Sequence, residues 1–381
     1  MLKVGIIGIG NTGNQVAALA KKKLSIPVVA INSSEKDLET ISDDIPKKLI
    51  SDKEGQTQGA GKDRRLAKKY LKGSIMNLLN DPEIDEMISK LDILFIVSSM
   101  GGGTGSGTAP MMYEIVTSTY KDVKTILVGV GPVNSEALSA HVNSLEYLNE
   151  LYKVLNGATY MLYDNDKLSD MPSYQMMEKV NNEIVDDINV LRCSFNYSTR
   201  FDSIDDRDAT RLISFPGRVV VCRIEDIHEK DCDSKSIEDM IIENIKKNAH
   251  VELQRDKKIM ASGIITNLSQ VLTEEFDNNV PKVREFIGEA VHAFNHIYVN
   301  EDRKQPNNVF FIMSGLSPVN DKINKINDRI EEIENKQKTM EEDDALDSSR
   351  LSELSSRIAD KPEGDTPESV DLKNIFGKFD I

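Results

Sequence analysis

Three things are scarce in this chain: cysteine, long apolar stretches and positive charge. Each shortage excludes a class of protein. The 381 residues include three cysteines, Cys193, Cys222 and Cys232. They are odd in number, scattered, and in no metal-like pair, which argues for a reducing compartment and against a disulfide framework. No apolar run approaches the roughly 18 residues of a membrane span. The opening MLKVGIIGIGNTG does not read as a signal peptide, because its apolar run breaks at Gly10 and Asn11. Basic residues are outnumbered, 47 Lys and Arg against 63 Asp and Glu, for a net charge of −16. That balance counts against broad nucleic-acid binding, and against direct DNA binding, by the main body. The remaining class is a soluble, cytoplasmic, globular protein of about two domains.

Strand-like and helix-like segments alternate over the first part. Residues 2–9, 26–32, 92–98, 125–130 and 159–162 read as strands. Residues 14–23, 64–79, 111–120 and 135–155 read as helices. This order implies right-handed βαβ crossovers and an α/β fold on a Rossmann-like, mostly parallel sheet. Residues 173–191 carry Met176, Val180, Ile184 and Ile188 on one stripe, the pattern of a long central helix. After Phe215-Pro216-Gly217, strands at 218–224, 258–266 and 308–314 with helices at 236–247 and 280–293 suggest a smaller α/β layer. From Asn320, Ile323, Ile326, Ile330 and Ile333 form a narrow helical seam. It thins into a Ser-, Asp-, Glu- and Pro-rich stretch expected to be disordered. The end regains apolar character at Leu372, Ile375, Phe376 and Phe379, either a docking peptide or a frayed tail. The expected division is 1–172, 173–214, 215–318 and 319–381.

Two glycine clusters carry the chemistry. Residues 101–110, GGGTGSGTAP, lie between a strand and a helix expected to begin near Ala109. Glycine lets a backbone turn sharply and approach a ligand closely, and the free N–H groups of a helix start favour an anion. With hydroxyls from Thr104, Ser106 and Thr108, the loop reads as a phosphate cradle. The second cluster, Gly8-Ile9-Gly10-Asn11-Thr12-Gly13, is a GxGxxG that alone suggests dinucleotide binding. The next strand, however, ends in Asn32-Ser33-Ser34 rather than in the acid that holds a ribose, and Glu35 comes late. Neither cluster ends in the Gly-Lys-Ser/Thr of a Walker loop. Two glycine loops on one ligand fit a nucleoside triphosphate best.

GGGTGSGTAP resembles the signature loop of the tubulin/FtsZ superfamily of GTP-driven filament proteins, and the likeness continues in order to about residue 318. It implies a GTP/GDP site with Mg²⁺, no assigned side-chain metal ligand, and head-to-tail self-association. Gly10, Asn11, Thr12 and Asn14 fall in the family's first loop, Asn32 in its second, and Gly59, Ala60 and Gly61 in its γ-phosphate-sensing third. Gly101, Gly102, Gly103, Thr104, Gly105 and Ser106 form the signature loop. Glu136, in Pro132-Val133-Asn134-Ser135-Glu136, takes the ribose-binding position. Asn165 falls at ribose and base, and Asn182, beside Asn181 on the central helix, at the guanine. Guanine offers N–H donors, which an Asn carbonyl can accept.

The segment SIDDRDATRLI, 203–213, resembles the loop that presents acids to the next subunit's nucleotide, with Asp205 and Asp208 as the pair. A carboxylate beside a γ-phosphate can orient an attacking water; the same acids could instead cap a helix. Where the family usually has a basic residue, this chain has Ser139-Ala140-His141, and an exposed solubilising His141 is expected. Asn11-Thr12 and a tail from Leu372 to Ile381 unlike the division protein's basic peptide suggest a divergent plasmid- or phage-type (TubZ/PhuZ-like) branch that segregates or positions DNA. The tail would dock an adaptor or a neighbouring subunit. The alternatives are a cell-division FtsZ-type protein, a non-hydrolysing relative and an NAD-dependent oxidoreductase.

Overall fold

In the computed structural model, residues 1–193, 204–232, 235–250, 252, 259–277, 280–300, 306–344 and 377–378 are described. β1 (Val4–Ile9) runs into α1 (Gly10–Leu24), and β2 (Val28–Asn32) into α2 (Glu35–Glu39) and β3 (Lys47–Leu49). α3 (Arg64–Leu79) and α4 (Pro82–Ser89) precede β4 (Ile93–Ser99). α5 (Thr104–Thr119), β5 (Lys124–Gly131), α6 (Leu138–Asn149) and β6 (Thr159–Asp164) follow. Then come α7 (Ser173–Cys193), α8 (Asp206–Leu212), β7 (Gly217–Ile224), α9 (Ile237–Lys247) and β8 (Ile259–Ser269). α10 (Gln270–Asp277), α11 (Val280–Ile287), β9 (Ala290–Asn300), β10 (Asn308–Leu316) and α12 (Asn320–Asp344) close the chain.

The strands form one sheet in the order β3-β2-β1-β4-β5-β6-β7-β10-β8-β9. Pairing is parallel from β3 to β7, and β10 runs antiparallel to both β7 and β8. The two parts of the sheet meet through the short register Thr159↔Gly217 and Tyr160↔Arg218. A parallel sheet is covered on both faces, so its strands read as continuous apolar runs, and successive residues go to opposite layers. Ile6, Phe95 and Val97 pack with Val16, Ala17 and Ala20 of α1 and with Val180, Ile184 and Ile188 of α7. On the other face Ile7, Leu94 and Ile96 pack with Leu71 and Ile75 of α3, Met112 and Ile115 of α5, and Tyr147 and Leu148 of α6. A third core gathers Val220, Phe311 and Met313 with Ile241 and Ile245 of α9 and Leu272 and Phe276 of α10.

Two expected helices start earlier in the structure, and one ends sooner. α1 begins at Gly10 and α5 at Thr104, inside the glycine clusters rather than after them. α5 also contains Pro110, which has no N–H and so frees the Ser106 carbonyl one turn back. The buried Arg64 guanidinium fills that gap, its Nη2 donating to the Ser106 oxygen at 2.8 Å. The segment 280–293, read as one helix, is α11 followed by the start of β9. Gly288, at φ +90°, ends the helix in a left-handed turn, and its N–H donates to the Arg284 carbonyl at 2.8 Å.

The isoleucine seam packs on the body against α6, with Val319 and Ile326 buried and Ile323 and Ile330 partly so. The first four residues of the acidic stretch expected to be disordered, 341–344, instead end α12; the rest of that stretch and the terminal apolar island, apart from Gly377 and Lys378, lie outside the described residues. Ser203, the first residue of the acid-bearing loop, does as well. Among the described residues no helix is long and apolar enough to cross a membrane.

Candidate functional site

The loops after β1, β2, β3 and β4 meet at the carboxyl ends of the strands around a cleft of about 380 Å³. This is where open parallel sheets bind ligands. Of the expected site residues, Gly10, Asn11, Thr12, Asn32, Gly59, Ala60, Gly61, Gly102, Gly103, Thr104 and Gly105 line it. Both α1 and α5 start there, so two sets of unpaired helix N–H groups and two positive dipole ends converge on one volume. Side-chain charge is sparse by comparison: Lys62 and Asp37 are the charged residues of the lining.

Bare backbone makes this convergence possible. Gly10 sits at φ +73°, and a Cβ there would come within 3.1 Å of the Gly105 nitrogen. At Gly103 a Cβ would meet the Lys62 Cα at 2.8 Å, so the third and fourth loops touch main chain to main chain. Asn143 of α6 staples the same two loops. Its Nδ2 lies 2.9 Å from the Lys62 oxygen, 3.2 Å from that of Gly101 and 3.1 Å from that of Gly102. Behind them Arg64 pairs with Glu146 at 3.0 Å and Glu150 at 2.6 Å, and Lys68 with Glu150 at 2.7 Å.

The other expected residues are placed as follows. Asn14 is buried behind the cleft, its Oδ1 accepting the Ile31 N–H at 3.2 Å. Asn32 orders the second loop: its Oδ1 accepts from the Ser33 N–H at 2.8 Å and its Nδ2 donates to Asp37 at 3.1 Å. The Gly101 N–H donates to Ser99 Oγ at 3.2 Å, and the buried Ser106 hydroxyl donates back to the Gly102 carbonyl. Glu136 accepts the Val133 N–H at 3.2 Å within its own loop. Asn165 has a buried Oδ1 with no hydrogen-bond partner among the described residues, and it does not line the cleft.

A second cleft, of about 490 Å³, opens between α1 and α7 and is lined by Gln15, Leu19, Tyr174, Met177, Glu178, Asn181 and Asn182. Gln15 joins it to the first, donating to Asn11 Oδ1 at 3.1 Å. Asn182 commits its Nδ2 to the Glu178 carbonyl at 2.7 Å, which leaves its own carbonyl oxygen for a donor such as a guanine N–H.

Asp205 and Asp208 stand apart. They line a different surface cleft with Arg207, Thr210, Arg211 and Ser214, and neither lines the cleft at the strand ends. Asp205 caps α8, accepting the Asp208 N–H at 2.8 Å. His141, expected to be exposed, is 2% exposed. Burial pushes its pKa below the ordinary histidine value, so it is no standing charge in place of the missing basic residue. Lys62, Asp37, Gln15, Tyr174 and Asn143 were not singled out from the sequence. Lys62 adjoins Gly61, a position that could have drawn notice, whereas Asn143 sits in no motif.

Residues 3–173 match the Tubulin/FtsZ family, GTPase domain. The matched residues resemble that domain and contain every expected contact except Asn182, Asp205 and Asp208. Tubulin-like protein CetZ of Pyrococcus horikoshii is 29% identical over 193 residues, 48% of this chain and 50% of that protein. Tubulin-like protein TubZ of Clostridium botulinum C phage is 30% identical over 140 residues, 36% of this chain and 37% of that one. The chain thus spans about half the length, or less, of these curated relatives in the matched regions. The fold extends further. TubZ of Bacillus thuringiensis serovar israelensis, solved as a GTPγS-form protofilament, superposes with TM-score 0.74 at 17% identity, covering 90% of this chain and 94% of that one.

Proposed function

We propose that the protein is a cytoskeletal GTPase that binds GTP in the cleft at the strand ends, polymerises head to tail, and cleaves GTP to GDP and phosphate at the subunit interface. One observation carries this reading. The glycine-walled cleft and the acids suited to hydrolysis line different clefts of one chain, so a second copy is needed to bring them together. The triphosphate would lie against Gly10–Thr12, Gly59–Gly61 and Gly102–Gly105, the ribose near Glu136 and Asn165, and the guanine against Asn182. Asp205 and Asp208 of the next subunit would orient a water for in-line attack on the γ-phosphorus. The bond to the β–γ bridging oxygen breaks, and helix N–H groups absorb the charge that develops. Asp37 and the hydroxyls of Thr12, Ser34 and Thr104 are oxygen donors of the kind a hard cation takes, so the lining suits a triphosphate carrying Mg²⁺, which would offset its charge.

The phage TubZ relative and the TubZ fold support a role in segregating or positioning plasmid or phage DNA. Three free thiols support a cytoplasmic setting. The working units would be 1–172, 173–214, 215–318 and 319–381, with the segment from Leu372 to Ile381 docking an adaptor or a neighbouring subunit. GTP turnover per subunit is expected to rise steeply across a dilution series of the full chain. A specific activity that stays flat would exclude the shared site.

A further inference from the structure

We infer that α12, which lies outside the family domain, is part of the nucleotide site: Arg329 and Lys322 are positioning residues that hold the ribose loop. This rests on the reading of residues 132–136 as that loop. The two cations are seven residues apart, about two helical turns, and so share one face of α12. Lys322 Nζ lies 2.8 Å from Asp164 Oδ1, and the two side chains are 7% and 11% exposed. Asp164 ends β6 immediately before Asn165, and the same Oδ1 accepts the Asp166 N–H at 3.2 Å. Arg329 Nε donates to the Asn134 carbonyl at 3.0 Å, while Glu332 holds its Nη1 at 2.7 Å.

Asn134 closes the circuit. Its N–H and Nδ2 donate to the two carboxylate oxygens of Asp166 at 3.1 and 2.7 Å. A ring of contacts therefore runs from Lys322 through Asp164, Asp166 and Asn134 to Arg329, and both ends lie on α12. Glu136 sits in one arm of this ring and Asn165 in the other, the two groups read as facing the ribose. Within the loop, Glu136 makes local turn contacts to Val133, and His141 of α6 bonds the backbone at Asn134 and Glu136. The position of Glu136 then depends on what Asn134 is tied to as well as on His141. The buried Lys322–Asp164 pair fixes the helix, because removing either partner would leave an uncompensated charge. The part-exposed Arg329 clamps the loop and can be changed without opening the core.

The ribose itself supplies the test. The full chain, wild type and Arg329→Ala, is titrated with GTP and with 2′,3′-dideoxy-GTP by calorimetry below the assembly concentration, and thermal melting confirms that both proteins are folded. The wild type is expected to prefer GTP. Arg329→Ala should lose about tenfold in GTP affinity, the scale of one charge-assisted hydrogen bond, and little for the dideoxy analogue, so that the preference collapses. Arg329→Lys should retain part of it. Equal weakening of both ligands, or no change in either, overturns the inference while leaving GTP binding intact. A wild type that binds GTP without preferring it over the analogue removes the ribose loop and the inference together. A wild type that binds no GTP removes the proposed function as well.

Discussion

Asn143 shows how much a single amide can govern. Its Nδ2 carries two hydrogens and faces three carbonyls, those of Lys62, Gly101 and Gly102, so the bonds are shared rather than separate. Replacing it by alanine strands oxygens of two loops at once, and an unsatisfied buried polar group costs about 1–3 kcal/mol. Asn143→Ala is expected to weaken GTP binding about tenfold and to lower the melting temperature. Asn143→Asp should be worse, because a carboxylate would face carbonyl oxygens. Titration of either variant with GTP checks this, and wild-type affinity in Asn143→Asp would show that the loops hold each other without the staple.

Among the elements, α6 is the hub. Asn143 and Glu146 reach toward the glycine loops, the Glu150 turn that continues the helix holds Arg64 and Lys68, and α12 packs alongside. His141 occupies the first turn of α6, buried, with Nε2 unpartnered among the described residues. Burial is the largest influence on it and lowers its pKa, with the Arg329 charge adding to the effect and contacts at Asn134 and Glu136 opposing it. The folded chain therefore holds His141 neutral where the unfolded chain, with a pKa of about 6.5, takes up a proton. Stability from this group is complete above that value and is lost as pH falls below it. Urea unfolding at pH 7.5 and 5.5 should show a loss on acidification that is smaller in His141→Gln. An identical loss in both would remove His141 as a source.

At the scale of the whole molecule, the separation of cleft and acids matters most. Asp205 and Asp208 follow α7 in the chain, outside the matched residues 3–173, and Asp205 already caps a helix. Removing Asp208 alters none of the residues that line the strand-end cleft. Asp208→Ala is expected to bind GTP as tightly as the wild type while its turnover falls by at least a hundredfold, the lower range for one catalytic group. On the proposed shared site the loss falls on the neighbour's nucleotide, so adding the variant to wild type should depress turnover per wild-type subunit, as measured by phosphate release. Undiminished turnover in Asp208→Ala itself would take Asp208 out of the chemistry.

Much of this was legible in one dimension, for identifiable reasons. β1, β4, β5 and β7 stand out because parallel strands buried on both faces are unbroken apolar runs. α7 stands out because its stripe keeps helical spacing from Met176 to Ile188. The glycine clusters mark a turn that only bare backbone can make, and they were sufficient to locate the cleft at the strand ends. Other features depended on partners far along the chain. α5 starts among glycines and tolerates Pro110 because Arg64, from α3, occupies the freed carbonyl. The start of β9 reads in sequence as the end of a helix because its apolar residues suit either period, and only the turn at Gly288 and pairing with β8 decide between them. The staple at Asn143 and the hold of α12 on Asp164 and Asn134 join residues from 41 to 195 positions apart, and these, like the burial of His141, carry no local signature. Backbone turns and hydrophobic periodicity are properties of neighbouring residues, and so the sequence alone determined them. Which polar group meets which is a property of packed surfaces, and only the tertiary structure could decide it.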